Sequence, residues 1–271
     1  MEGVAALLRW YVEQGVDETI GEEPIDRFAA PPPSATVAAT PSAAPAPLRA
    51  PTPLRTTPPP SPSRAPVPIE SPQLVEDARA LAAQCSTLAE LETAIRGFEG
   101  CALKRTAKNT VFADGKPDAS VMVVGEAPGA DEDRLGKPFV GVSGQLMDRM
   151  MSAIGLTRDG GFYITNILFW RPPGNRTPTP QETQICLPFI QRQIELVDPD
   201  VLVTLGNPST QTLLSTREGI MKTRGRWFDY DTGSRTIRAL PTFHPAYLLR
   251  SPSYKRLAWQ DLRAIAKALA G

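Results

Sequence analysis

Ser120-Val-Met-Val-Val124, closed by Gly125 and followed by Glu126-Ala-Pro-Gly129, decides the reading of the fold. A short, uninterrupted apolar run is what a strand covered on both faces needs, and such strands belong to parallel sheets. The pattern recurs at Phe162–Ile167, at Val201–Leu205 before Gly206, and around Thr236–Leu240. Helical segments separate these runs: 144–154, 180–197 (opened by Pro180, which suits a first turn), 208–215 and a closing stretch over 254–269. Upstream, 73–84 reads as a helix, and Thr87-Leu-Ala-Glu90 is a capping box that opens another through Arg96. Strand–helix alternation predicts a three-layer α/β/α sandwich around a central four-stranded parallel sheet. Ligands of such sheets sit beyond the carboxyl ends of the strands.

The rest of the chain differs in composition. Of 271 residues 29 are proline, and 15 of these fall between Pro31 and Pro72. A Pro/Ala/Ser/Thr segment without core residues cannot offset its ordering entropy, so 28–72 is expected to be an extended tether. It divides an N-terminal segment, 1–27, with an amphipathic stretch at 4–14, from a foldable domain, 73–271. Lys plus Arg and Asp plus Glu number 29 each. The balance hides an acidic start (two basic and seven acidic residues in 1–30) and a basic end (eleven basic and four acidic in 217–271). It is the local patch that a polyanion feels. No apolar run approaches the ~20 residues of a membrane span. Met1-Glu2-Gly3 lacks a basic leader, and three scattered cysteines do not make a disulfide scaffold. An intracellular, cytoplasmic setting and a monomer are the expectation.

Each strand end delivers polar or glycine-rich residues to one edge. Glu126, Ala127, Gly129, the acidic run Asp131-Glu132-Asp133 and Pro138-Phe139-Val140-Gly141 follow the first; Asn166 and Arg171 through Arg176 follow the second. Gly206 and Asn207 follow the third, and Phe243-His244-Pro245 through Arg250 the fourth. His244 is the chain's single histidine; set between Pro241 and Pro245 just after a strand, it suits a chemical role as well as a structural one.

Four segments in this order, GEAPGADEDRLGKPFVGVSGQLMD (125–148), YITNILFWRPPGNRTP (163–178), VTLG (203–206) and PTFHPAYLLR (241–250), resemble the uracil-DNA glycosylase superfamily and in particular its type-4 members. The resemblance covers about residues 98–265 and implies a four-stranded parallel sheet between helices. It implies hydrolysis of the N-glycosidic bond of deoxyuridine in single- or double-stranded DNA, releasing uracil and leaving an abasic site for base excision repair, within a nucleoid-associated setting. The target base must first leave the stack, which costs a few kcal/mol.

The resemblance assigns Phe139 to stack on the extruded base, Asn166 to read its edge, and His244 to donate to the oxyanion developing on uracil O2. A side-chain amide offers both a donor and an acceptor, which matches uracil and not cytosine. Glu126 is the first choice for holding the attacking water and Glu132 the second; residues 131–133 also read as a solvated acidic turn. Where some relatives use an aspartate in this motif, this chain has Ala127. Ala127 and Gly129 would give backbone contacts to the substrate. Gly141, Ser143, Gly206 and Asn207 would meet phosphates at helix N-termini, and Arg171, Arg176 and Arg250 would neutralise others. Leu248 and Leu249 stand where the family inserts a wedge into the stack. No lysine in the motifs stands where a Schiff-base nucleophile is expected, which implies a monofunctional enzyme.

Type-4 members hold a four-iron, four-sulfur cluster on four cysteines. Two of those places here are Phe98 and Trp170, leaving Cys101 and Cys186. Such clusters are held by thiolates, so neither a cluster nor another metal or cofactor is expected. Two rival readings stand beside this one: a uracil-DNA binding protein without turnover, as in a close branch of the superfamily, and a glycosylase of broader specificity for deaminated bases. A third makes residues 1–72 a docking segment for an unknown protein.

Overall fold

The computed structural model describes residues 71–270. The expected helix at 4–14 and all but the last two residues of the expected tether lie outside this range. The first helix starts at Ser71, two residues before the predicted boundary. In chain order the elements are α1 (Ser71–Ala83), α2 (Leu88–Gly97), β1 (Asp114–Gly115), β2 (Val121–Gly125), α3 (Ala130–Leu135), α4 (Val142–Ser152) and β3 (Phe162–Asn166). Then come α5 (Pro180–Val197), β4 (Val201–Leu205), α6 (Gly206–Leu213), α7 (Ile220–Thr223), β5 (Phe228–Asp231), β6 (Thr236–Thr242), α8 (Pro245–Arg250) and α9 (Lys255–Leu269). The capping box at α2 forms as read: Thr87 Oγ1 accepts from the Glu90 amide, and the Glu90 carboxylate accepts from the Thr87 amide.

The expected four-stranded parallel sheet is corrected to a six-stranded mixed sheet in the order β1-β3-β2-β4-β6-β5. The inner strands β3, β2, β4 and β6 are parallel, while β1 and β5 add antiparallel at the two edges. Strand β1 is two residues long, too short to leave a sequence pattern. Strand β5 did leave one. Phe228-Asp-Tyr-Asp231 alternates, and the following Thr232-Gly233-Ser234-Arg235 closes a hairpin in which the Thr232 and Arg235 backbones pair and Gly233 takes a φ of 92°. Edge strands of this kind, one face toward solvent, give alternation and not an apolar run.

The inner strands are buried along their length and feed two cores. Met122, Val124, Tyr163 and Leu202 face a layer made by α1, α2 and α5, where Ala78, Leu91, Ile95, Phe189 and Ile190 are buried. Val121, Val123, Ile164 and Val203 face the opposite layer, where Met147 and Met151 of α4 and Leu262 and Ile265 of α9 are buried. Neighbouring residues of one strand thus serve opposite cores, the period-two geometry of an extended chain.

The register aligns the strand ends. Gly125 lies opposite Asn166, Val124 opposite Thr204, and Leu205 opposite Thr242. The residues that follow the four inner strands therefore emerge at one edge, as the sequence implied.

A candidate active-site cleft at the carboxyl edge of the sheet

At that edge lies a cleft of about 740 Å³, lined by residues that follow all four parallel strands. Glu126, Ala127 and Gly129 come from the segment after β2, Phe139 and Ser143 from the approach to α4, and Asn166 from the end of β3. Gly206 and Asn207 come from α6, and His244 and Arg250 from the segment after β6, with Arg176 at the rim. Glu132 also reaches the wall. Gly141, Arg171, Leu248 and Leu249 are the predicted site residues that do not line it.

Asn166 is 1 % exposed, and its side-chain oxygen has no hydrogen-bond partner. A buried unpaired carbonyl is costly, and this one, unlike the orphaned Gln193 oxygen, belongs to a residue that lines the cleft. The main chain fixes its place: Ile167 N–H donates to Gly125 O at 3.0 Å and Leu168 N–H to Glu126 O at 3.1 Å, extending the β2–β3 ladder past the strands. A Cβ on Gly125 would come within 2.4 Å of the Asn166 oxygen and 2.5 Å of the Phe139 ring. Glycine is required there so that amide and ring can close on the same space.

Phe139 adopts a φ of 54°, a left-handed conformation that costs a bulky residue roughly 1–2 kcal/mol. Its ring centroid lies 5.7 Å from that of His244, with the planes 31° apart. His244 caps α8, its Nδ1 accepting from the Ala246 amide at 3.2 Å. That bond commits Nδ1 as the acceptor, so a neutral ring carries its proton on Nε2. Burial and the nearby Arg250 charge push the imidazole down to about 4, against a weaker opposing pull from Glu132. His244 is therefore a neutral Nε2–H donor at the wall of the cleft.

The two candidate carboxylates have different surroundings. Glu132 is buried, its Oε1 accepting from Val140 and Gly141 N–H at 2.9 Å each and its Oε2 from Gly129 N–H at 3.1 Å. It ties the segment after β2 to the start of α4. Residues 131–133 are not a solvated turn but lie within α3, with Asp133 also buried and accepting from the Lys108 and Asn109 amides. Glu126 is half-buried, and desolvation alone pushes its carboxyl above the usual range. It is the acid whose oxygens the fold leaves for the cleft.

Several residues expected to contact DNA have partners within the fold. The Gly141 amide, expected to meet a phosphate, donates to the Glu132 carboxylate at 2.9 Å. Leu248, expected at the wedge tip, is 1 % exposed and packs with Phe243 and Ala258, whereas its neighbour Leu249 is 38 % exposed. Position i+1 on a short helix turns to the other face, which sequence alone did not orient. Asn207 Oδ1 accepts from Ile220 N–H at 2.6 Å and so anchors α7. Arg176 pairs with Glu182 at 2.6 Å and Arg171 Nε donates to Asn175 at 2.7 Å. Arg250 is exposed at the rim.

Two supports escaped sequence reasoning. Asp261 of α9 is 1 % exposed, pairs with Arg224 through both oxygens and accepts from Thr242 Oγ1 at 2.7 Å, pinning the end of β6 just before His244. Arg158, after α4, donates to the carbonyls of Pro138 and Phe139. A lone charged residue in a helix or loop carries no signal of its distant partner.

The residues at the type-4 cluster positions do not fit an iron–sulfur group. Phe98 and Trp170 are buried in the core with Cys101 and Cys186. The Phe98 ring packs edge-on against Phe189 at 5.1 Å, and Trp170 Nε1 donates to Thr110 Oγ1 at 3.1 Å. Two thiols remain where four thiolates are needed, and the described residues contain no group of three or more His, Cys, Asp or Glu placed to hold a metal. No helix of the described residues is long and apolar enough to cross a membrane.

Comparison with known proteins agrees with this arrangement. Residues 112–263 match the model of the family described as the uracil DNA glycosylase superfamily. A type-4 uracil-DNA glycosylase of Saccharolobus solfataricus is 39 % identical over 180 residues, covering 65 % of this chain and 83 % of that protein. One from Thermotoga maritima is 39 % identical over 171 residues, covering 62 % and 87 % respectively. A type-5 uracil-DNA glycosylase of Pyrobaculum aerophilum is 34 % identical over 114 residues, covering 37 % and 50 %. With the matched span containing β2 to β6 and every wall of the cleft, the chain belongs to the uracil-DNA glycosylase superfamily and is an enzyme of that kind.

Proposed function

We propose that the chain removes uracil from DNA by hydrolysis, as a monofunctional glycosylase. The observation that carries this is the convergence, in one cleft, of the unpaired Asn166 amide oxygen, the Phe139 ring and the His244 Nε2–H. An extruded base stacks on Phe139. Its N3–H meets the Asn166 oxygen, which satisfies that orphan; cytosine has no N3–H to give. As the C1′–N1 bond breaks, its electron pair passes to the uracil ring and charge gathers on O2, toward which Nε2–H of His244 donates. A preorganised donor of this sort is worth about 3 kcal/mol of barrier. A neutral imidazole does this without having to lose a proton that the leaving base would otherwise take.

Glu126, ionised, holds a water below C1′ and balances the sugar cation. The water oxygen bonds to C1′ and its proton leaves through the Glu126 carboxylate, so uracil departs and an abasic site remains. Ala127 and Gly129 present backbone at the same wall. Ser143, Gly206, Arg176 and Arg250 face the strand that carries the base, and Leu249 enters the gap that the base leaves. Glu132 keeps the wall in place. The fold supports the assignment with one further feature: Gly206, at φ 80°, comes so near His244 that a Cβ would sit 3.3 Å from its Cβ.

Incubation with an oligonucleotide bearing one uracil, followed by alkali, tests the reading. Breaks at the uracil in excess of enzyme, lost in Asn166→Ala and His244→Ala, are expected. A band shift without breaks would instead identify a binding protein and refute turnover.

A further inference from the structure

The ring that receives the base is held in an unfavourable backbone conformation, and the structure shows what holds it. The Arg158 guanidinium, 16 % exposed, makes four contacts. Nη1 donates to Pro138 O at 2.9 Å and to Asp114 Oδ2 at 2.8 Å, Nη2 donates to Phe139 O, and Nε donates to Asp148 Oδ1 at 2.8 Å. From the other side, Gly144 lets the Phe139 carbonyl approach: a Cβ there would lie 1.8 Å from that oxygen. The same arrangement explains β1. This two-residue edge strand pairs with β3 through Asp114 and Ile164 and so brings the Asp114 carboxylate to Arg158.

We propose that Arg158, braced by Asp114 and Asp148, is a positioning residue that sets the Phe139 ring against His244 and so fixes the slot for the extruded base. This rests on the proposed glycosylase reading. The planar guanidinium satisfies two consecutive carbonyls and two carboxylates at once, a geometry that a lysine ammonium cannot reproduce. Without it the Phe139 carbonyl loses its donor, the left-handed residue relaxes, and the ring leaves the slot. Loss of a stacking partner costs a bound base about tenfold or more.

The test is a double-mutant cycle in the full chain with Arg158→Lys and Phe139→Leu, measured as kcat/KM on a uracil oligonucleotide and as inhibition by free uracil. Each single variant is expected to lose about tenfold in both. The double variant is expected to fall no more than about twofold below Phe139→Leu, because coupled residues are not additive. Multiplied losses would overturn the proposal, as would an Arg158→Lys enzyme with unchanged uracil inhibition.

A second readout does not depend on excision. In the ligand-free protein, cross-relaxation between the Phe139 and His244 ring protons is expected in the wild type and lost in Arg158→Lys with the circular-dichroism spectrum retained. Wild-type protein that shows this contact but no excision would sink the glycosylase reading and leave the positioning role standing. A contact that persists in Arg158→Lys would sink the positioning role alone. Should Arg158→Lys fail to fold, Asp148→Asn, which removes one brace at an exposed carboxylate, decides by the same signal.

Discussion

An acid titration watched by NMR probes one imidazole in this chain, because His244 is the single histidine in all 271 residues. Burial and the Arg250 charge bring its pKa from 6.5 down to about 4. At about 1.4 kcal/mol per pH unit, that gap is a preference of roughly 3 kcal/mol for the neutral ring in the folded protein. The sign of the linked stability follows. Between about pH 6.5 and 4 the unfolded chain binds a proton that the folded one refuses, so His244 makes stability fall as pH falls through this window. Its contribution is constant above the window and levels off below it.

The assay is a long-range proton–nitrogen correlation across the pH range, which reports the midpoint and the tautomer together. The expected result is a midpoint near 4, with Nδ1 unprotonated, as its bond from the Ala246 amide requires, and Nε2 protonated. Arg250→Gln removes a repelling charge and should raise the midpoint. A midpoint at or above 6.5, or a proton on Nδ1 in the neutral ring, would refute the account of His244 as a neutral Nε2–H donor.

Glu126→Gln should reduce single-turnover excision by about 10²- to 10⁴-fold. In the wild type the rate should fall as pH drops through a carboxyl pKa lying above the usual 4.5, and this acid limb should vanish in the variant. Asp261→Ala strands the Arg224 charge beneath β6 and should cost about 3–5 kcal/mol in urea unfolding. Leu248→Ala should cost about 2–5 kcal/mol of stability, by the same measurement. Leu249→Ala should leave the urea midpoint in place and weaken binding to a uracil-containing duplex.

The parallel core and the side chains that line the candidate site were legible because each rests on a local pattern. Apolar runs ending in glycine at 125 and 206 mark strands buried on both faces, and their carboxyl ends share an edge whatever the loops do. The four motifs in order then supplied Asn166, Phe139 and His244, which the cleft brings together. The edge strands were not legible in the same way. Strand β1 is two residues long and exists through its pairing with β3; β5 is half-solvated and reads as a hairpin arm only when its turn is noticed.

What tertiary structure alone decided is which polar group faces which partner. Sequence ranked Glu126 ahead of Glu132 without showing their surroundings; the fold ties Glu132 to three backbone amides and leaves Glu126 to the cleft. It offered Leu248 and Leu249 as a pair; the turn of α8 buries one and exposes the other. It could not give the protonation of His244, which depends on burial, on Arg250 and on an amide two residues ahead. Nor did it point to Arg158, whose partners lie 10 to 44 residues away along the chain. Residue type and period are properties of the chain; desolvation, pairing and facing are properties of the packed molecule, because each depends on what other segments bring within a few ångströms.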